Sequence, residues 1–345
     1  MTDIILPQWP YAFGGPSGSG DIKSAPDDFI VQEILSFTPE GSGEHVFLHI
    51  EKCGENTEFV ARMLARHAGV RQRDVSYAGM KDRHGRTRQW FSVWLPGKTD
   101  PEWTGMETEN LKILQTVRHA RKLKRGVLAG NQFDLLIRNW QGGQEITNRQ
   151  LQDIKALGFP NYFGEQRFGR QGQNLNRAMA MFLGAKVKRE QRSIYLSAAR
   201  SYLFNLILAE RVKAQTWNQA LPGDMFKLAH TNSHFSAASI DPVLLERLES
   251  GDIHATGALW GSGDSGVAGE VQVLEQQIML AYPELAAGLL TAELENDRRA
   301  LRVIPENLGW QFVAEGLRLQ FSLPAGSYAT ALLRELVLTE VVNLN

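Results

Sequence analysis

The chain has 345 residues, 43% hydrophobic and 22% charged, with a formal net charge of −1 at pH 7. That length exceeds a single small core and predicts about two domains at roughly 150 residues each, in the composition range of soluble globular proteins. A single cysteine, Cys53, excludes an internal disulfide, a thiolate cluster and a zinc finger.

The opening MTDIILPQWPYAFGG has neither the basic start nor the apolar core of a secretory signal. With no run of about 18 apolar residues either, a cytoplasmic protein is expected, with no membrane association. The near-neutral total hides segregation. Residues 62–125 hold 15 Lys and Arg against 6 Asp and Glu, a local +9 that leaves −10 for the rest of the chain. A second basic stretch, Arg167 to Arg192, has seven Lys and Arg opposed only by Glu190. Such blocks are either a solvated surface or the electrostatic footprint of a protein that binds phosphate backbones.

In chain order, DFIVQEIL (28–35) and EHVFLHIEK (44–52) alternate or nearly alternate apolar and polar residues and predict two strands joined by a turn-rich loop. NTEFVARMLARHAGV predicts a helix with Phe59, Val60, Met63, Leu64 and His67 on one face, Asn56 or Thr57 as cap and Gly69 as stop. DVSYAG and QWFSVWL predict strands flanking MKDRHGRTR, which places Asp82 on a loop presented by a sheet. LKILQTV and NQFDLLIRNW predict further strands. Between them, Arg118, Arg121, Lys122, Lys124 and Arg125 are expected along a strand or ribbon.

From about residue 146 to 300 the spacing turns helical, in ITNRQLQDIKALG, NLNRAMAMFLG, SIYLSAARSYLFNLILAERVKAQ and EVQVLEQQIMLAYPELAAGLLTAELE. DPVLLERLESG adds a helix with Asp241 as cap and Pro242 in the first turn. GSGDSG (261–266) reads as a loop. Finally, Leu317, Leu319, Phe321 and Leu323 mark one face of a strand, and SYATALLREL a closing helix. Strands, then helices, then a strand predict an α+β domain interrupted by an insertion.

The eight histidines form no HExxH, and Walker, GxGxxG and GxSxG frames are missing, so zinc hydrolysis, nucleotide hydrolysis, hydride transfer and acyl transfer lack sequence support. What remains is AGMKDRHGRTRQW (78–90), where Asp82 stands among Lys81, Arg83, Arg86 and Arg88 with His84 beside it. Either Asp82 tempers the local charge, or the cations hold a polyanion over an acid that does chemistry. NYFGEQRFGR (161–170) mixes Tyr162, Phe163 and Phe168 with Arg167 and Arg170; it is either a hinge with core aromatics or a surface for stacking bases and pairing phosphates. Strand alternation alone puts Phe133 in a core with Leu135 and Ile137.

KSAPDDFIVQE, AGMKDRHGRTRQW, GNQF, PNYFGEQRFG, LSAARSYLFN and LPAGSYATALLRE occur in this order, and through them the chain closely resembles the TruD family of tRNA pseudouridine synthases over nearly its whole length. The resemblance implies a pseudouridine synthase catalytic domain with a mixed, largely antiparallel sheet flanked by helices, formed by residues 1–157 and 306–345 and interrupted by an inserted α/β domain at 158–305. It makes Asp82 the catalytic aspartate. Asn131 and Phe133 of GNQF become the base-contacting pair, Phe133 stacking on uracil, and Phe29 and Tyr328 further pocket residues. Lys23 becomes the basic partner of the carboxylate, although Asp27 or Asp28 also stands within its reach. Lys81, Arg83, Arg86, Arg88, Arg121, Lys122, Lys124, Arg125, Arg167 and Arg170 are the expected RNA contacts. The implied substrate is tRNA, with uridine 13 of the D-arm isomerised, by a monomer that uses no cofactor, metal or protein partner. A non-catalytic RNA-binding or RNA-chaperone protein would share the basic blocks without needing Asp82, and a base-excising glycosidase would need the acid but release free base.

Overall fold

The computed structural model describes residues 4–83 and 85–338. Its first strands are β1 (Gly18–Ile22), β2 (Phe29–Leu35) and β3 (His45–Cys53), followed by helix α1 (Thr57–His67) and strands β4 (Val75–Tyr77), β5 (Arg86–Trp94), β6 (Leu111–His119) and β7 (Leu128–Gly142). Then come α2 (Gln144–Leu157), β8 (Phe159–Pro160), α3 (Gln173–Phe182), α4 (Arg189–Lys213), β9 (Met225–Leu228), β10 (His234–Ser236), α5 (Pro242–Glu249) and β11 (Ile253–Leu259). The chain continues through α6 (Gly269–Ala281), α7 (Pro283–Thr291), β12 (Asp297–Ala300), β13 (Arg302–Val303), β14 (Glu306–Val313), β15 (Gly316–Pro324), α8 (Ala329–Leu336) and β16 (Val337–Leu338).

Two compact units result. Gly18–Gln144, Pro305–Gly326 and Val337–Asn345 form a sheet unit; Met1–Ser17, Glu145–Ile304 and Ser327–Leu336 form a helical unit. The sequence reading places the changeovers after residues 157 and 305, and it assigns both chain ends to the sheet domain. Side-chain chemistry explains where the units differ from that. Ile4, Leu6, Trp9 and Phe13 pack against the apolar cluster of the helical unit, and Gln150 of α2 donates to Gly15 O and Glu335 O, both at 2.8 Å.

In the sheet unit the strands run in the order β14-β15-β7-β2-β5-β3-β6, with β1 on β7 and β16, and β4 on β5. Among the described residues of this sheet only β2–β5 and β1–β16 are parallel, so the expected mixed, largely antiparallel sheet is what forms. Alternation sets the register. Leu317, Leu319, Phe321 and Leu323 of β15 are all buried opposite Leu135 and Phe133 of β7. Helix α1 starts where Asn56 Oδ1 accepts from Glu58 N at 2.9 Å and ends before Gly69, whose φ of +61° suits a residue without a side chain. It buries Val60 and Leu64 against Val46, Leu48, Ile50, Phe91 and Val93. Phe59, expected on that face, is 40% exposed, because it lies at the edge of the helix's apolar stripe. Residues 120–127 are a loop rather than the expected strand or ribbon, since four cations within five positions leave too little apolar surface to hold a strand on a sheet.

The helical unit is built around α4, whose Ala199, Leu203, Phe204 and Leu208 are fully buried. The helix expected over 270–295 is two, broken where Pro283 cannot donate to the ladder of α6. A four-stranded sheet, β10-β9-β11-β12, and the pair β13-β8 also belong to this unit; their strands of two to seven residues leave little periodic signal. Asp241 caps α5 as expected, its Oδ1 accepting from Leu244 N at 2.8 Å.

Candidate active site

Asp82 lies on the loop between β4 and β5 in the sheet unit. Its carboxylate is ion-paired with Lys23, just past the end of β1. Asp27 and Asp28 are engaged elsewhere, Asp27 with Arg86 and the buried Asp28 with Arg138 at 2.7 Å, so the competition for Lys23 is resolved in favour of Asp82. Lys23 has a φ of +64°, a left-handed conformation uncommon for a residue with a side chain, and such outliers cluster at functional sites. Its Nζ stands 4.2 Å from the centroid of the Phe29 ring, a cation–π distance. Gly85 belongs here too: a Cβ on it would stand 2.6 Å from Phe29 O, so glycine lets the loop close onto β2.

Phe133 follows on β7. Its ring meets Phe29 edge-on at 6.4 Å and stacks on Phe321 at 5.2 Å, and the residue is 7% exposed. The burial agrees with the strand alternation. Asn131, two residues back on the same face, has a buried Oδ1 that accepts no hydrogen bond among the described residues. It pairs in register with Glu33 of β2.

Lys81 of the loop, and Arg86 and Arg88 at the start of β5, are tied to carboxylates. Lys81 Nζ lies 2.7 Å from the buried Glu33, and Trp90 N donates to the same carboxylate at 2.7 Å. Burial pushes the Glu33 carboxyl up, with Lys81 opposing it. Arg86 and Arg88 both donate to Glu51 at 2.9 Å. Burial disfavours ionising Glu51, but the Arg88 and Arg86 hydrogen bonds outweigh it and hold the carboxyl below the usual range. Arg83 is exposed and donates through Nε to Gly54 O at 3.0 Å. His84 lies outside the described residues.

Arg121, Lys124 and Arg125 are exposed, as is Lys122, whose Nζ donates to Arg73 O at 3.2 Å. With Arg73 and Tyr77, Lys122, Lys124 and Arg125 line a cavity of about 600 Å³ beside β4. Gly126 N donates to Ala78 O at 3.4 Å, joining this basic loop to the root of the loop that carries Asp82.

Tyr328, Arg167 and Arg170 belong to the helical unit. Arg167 donates to Tyr328 Oη at 2.5 Å and to Ser197 Oγ at 2.9 Å, and Arg170 is exposed. Tyr162, Phe163 and Phe168 are buried, so the core reading of NYFGEQRFGR holds for its aromatics.

Residue spacing gave no sign of Lys52, Glu33, Glu51, Thr57 and Gln89, all buried around the Asp82 loop. Strand β3 is buried on both faces, with Lys52 on the face of Val46, Leu48 and Ile50 and Glu51 on that of Phe47 and His49. Burial pushes the Lys52 ammonium down to about 8, with Asp82 opposing the shift. Among the described residues, no group of three or more His, Cys, Asp or Glu is placed to hold a metal ion, and no helix is long and apolar enough to cross a membrane.

Comparison with known proteins shows the family of the chain. The family model for tRNA pseudouridine synthase D (TruD) matches residues 8–177 and 172–336. A protein of Methylococcus capsulatus named tRNA pseudouridine synthase D is 47% identical over 331 residues, covering 95% of this chain and 94% of the relative. Its namesake in Nitrosococcus oceani is 46% identical over 336 residues, with the same coverage. A crystal structure from Methanosarcina mazei assigned to tRNA pseudouridine synthase D (TruD) superposes with a TM-score of 0.72, covering 94% of this chain and 95% of that one; at 21% identity it supports the fold alone. On the family match and the full-length relatives, the chain belongs to the tRNA pseudouridine synthase D (TruD) family.

Proposed function

We propose that this chain isomerises uridine to pseudouridine in tRNA, that the uridine at position 13 of the D-arm is its target, and that it does so in the cytoplasm with neither metal nor other cofactor. The observation that carries this reading is Asp82, ion-paired with Lys23 beside the ring of Phe29 on a loop that the sheet presents. Pseudouridine formation breaks the C1′–N1 bond of one uridine, turns the detached uracil and joins C1′ to C5; the C5 proton is lost and N1 gains one. A carboxylate can serve by attacking C1′, by attacking C6, or by taking a sugar proton. Each route starts from the ionised acid, and the Lys23 ammonium favours that state.

The target nucleotide would leave its stack to reach the carboxylate. Phe133 and Phe29 supply aromatic surface for uracil, and Asn131 Oδ1 supplies an acceptor suited to a base N–H. Arg121, Lys122, Lys124, Arg125 and the exposed Arg83 are suited to phosphates, whereas Lys81, Arg86 and Arg88 are already neutralised. Arg167, Arg170 and Tyr328 are carried as further substrate contacts. The sheet unit is taken as the catalytic domain and the helical unit as the inserted one.

Carbodiimide mapping of pseudouridine in prefolded tRNA, with and without the purified protein, tests the proposal. A mass-neutral isomer at position 13 is the expected result. An isomer elsewhere would keep the activity but move the target. An abasic site would mean a glycosidase, and unchanged RNA a binding protein without catalysis.

A further inference from the structure

Beneath the loop that carries Asp82 lies a polar scaffold closed off from water. Gln89, Thr57, Lys52 and Glu33, its four members, are each 2% exposed or less. Gln89 Nε2 donates to Gly79 O at 2.6 Å, and Thr57 Oγ1 donates to Gln89 Oε1 at 3.0 Å while accepting from Lys81 N at 3.2 Å. Glu33 holds the Lys81 ammonium at 2.7 Å. Lys52 Nζ donates to Glu55 O at 2.9 Å and to Asp82 O at 3.4 Å. The backbone of the loop is therefore clasped at Gly79, Lys81 and Asp82, each time by a buried side chain.

A buried lysine is a costly way to fill space. Removing an ammonium from water costs several kcal/mol even after relaxation, and an apolar side chain of similar length would fill the same volume without that cost. Here the ammonium instead satisfies backbone carbonyls at a turn, including that of the residue read as reactive.

We propose that Lys52 is a positioning residue for Asp82: its buried ammonium, acting through the backbone carbonyls of Glu55 and Asp82, fixes the loop so that the Asp82 carboxylate stays beside Lys23 and Phe29. Thr57, Gln89 and the Glu33–Lys81 pair complete the same clasp. The inference rests on the reading of Asp82 as the reacting carboxylate, and it adds a group that touches neither substrate nor reacting atoms.

The test compares the full-length wild type with Lys52→Met, Thr57→Val and a core control, Leu64→Ala, by steady-state pseudouridine formation on a prefolded tRNA transcript and by thermal melts. Misplacing the carboxylate by about an ångström should lower kcat about 10- to 100-fold in Lys52→Met, with the KM for tRNA changed by no more than about threefold. Thr57→Val, which removes one clasp at nearly constant volume, should show the same split with a smaller loss. Leu64→Ala should lower the melting temperature yet leave kcat of the folded protein unchanged. A kcat within about twofold of wild type in both Lys52→Met and Thr57→Val overturns the inference, as does a loss confined to KM. Should Lys52→Met fail to fold, Thr57→Val alone decides. An inactive wild type would overturn the reading of Asp82 itself, an outcome distinct from an active wild type with unaffected variants.

Discussion

Two basic loops of the sheet unit look alike in sequence and differ in the structure. Around Asp82, Lys81 of the loop is paired with Glu33, and Arg86 and Arg88 at the start of β5 with Glu51. In the loop 120–127, Arg121, Lys122, Lys124 and Arg125 are exposed, and among the described residues none of the four forms an ion pair. In the first region, Arg83 apart, the positive charge is matched by the protein's own carboxylates, which hold the backbone around Asp82. The second keeps its charge in water, where a polyanion can displace counterions. Charge counted along the chain measures neither role; what matters is whether a carboxylate on a neighbouring strand is in register with the cation.

The comparison can be broken first at Asp82. Asp82→Asn keeps the volume and removes the charge, so pseudouridine formation should fall on the order of 10²- to 10⁴-fold or more, while tRNA affinity stays within a few-fold. Turnover near wild type would end the catalytic reading of that loop. The aromatic wall beside it comes next. Because Phe133 is buried against Phe29 and Phe321, Phe133→Ala should cost about 3–5 kcal/mol in denaturant melts. A cost near 1 kcal/mol, with activity lost, would show that the ring serves the uracil far more than the fold.

The arginines then separate the two loops directly. Arg88→Ala leaves the buried Glu51 short of a donor, which should cost about 1–3 kcal/mol of stability with little change in the salt dependence of tRNA binding. Replacing Arg121 and Lys124 with Ala should do the reverse: stability within about 0.5 kcal/mol, and a slope of log affinity on log salt shallower by about 0.7 to 0.9 per lost phosphate contact. If both variants moved the same observable, the two loops would not differ in the way their pairing indicates.

The smallest effect is on acid stability. His49 of β3 stacks on Trp90 at 4.6 Å, and burial, with the Arg88 charge added, lowers its pKa to about 4. The unfolded chain takes up that proton near pH 6.5, the folded one only near 4, so the stability His49 contributes is complete above about 6.5 and lost as pH falls towards 4. His49→Phe should flatten that part of the acid limb in pH-dependent melts. An unchanged limb would mean that His49 is already charged in the fold.

Short-range physics made much of the molecule legible from sequence. Strand alternation gave the buried face of β15 and of Phe133, Leu135 and Ile137; Asn56 and Asp241 gave two helix caps; helical spacing runs unbroken across Pro283 and does not show the break between α6 and α7. The order of six motifs carried the family resemblance, and Asp82, Lys23 and Phe29 meet in the sheet unit. Pairing was not legible, because it depends on which strands become neighbours. Lys23 selects Asp82 over Asp27 and Asp28 only after β1 lies on β7, and β2 on β5, bringing Arg138 and Arg86 to the other two acids. Lys52 shares its strand face with Val46, Leu48 and Ile50, and Glu33 with Phe29 and Val31, so alternation turns both charges inward while leaving their partners to α1 and the neighbouring strands. Burial is a property of the assembled sheet, and it turns two ordinary charged residues into the clasp behind Asp82.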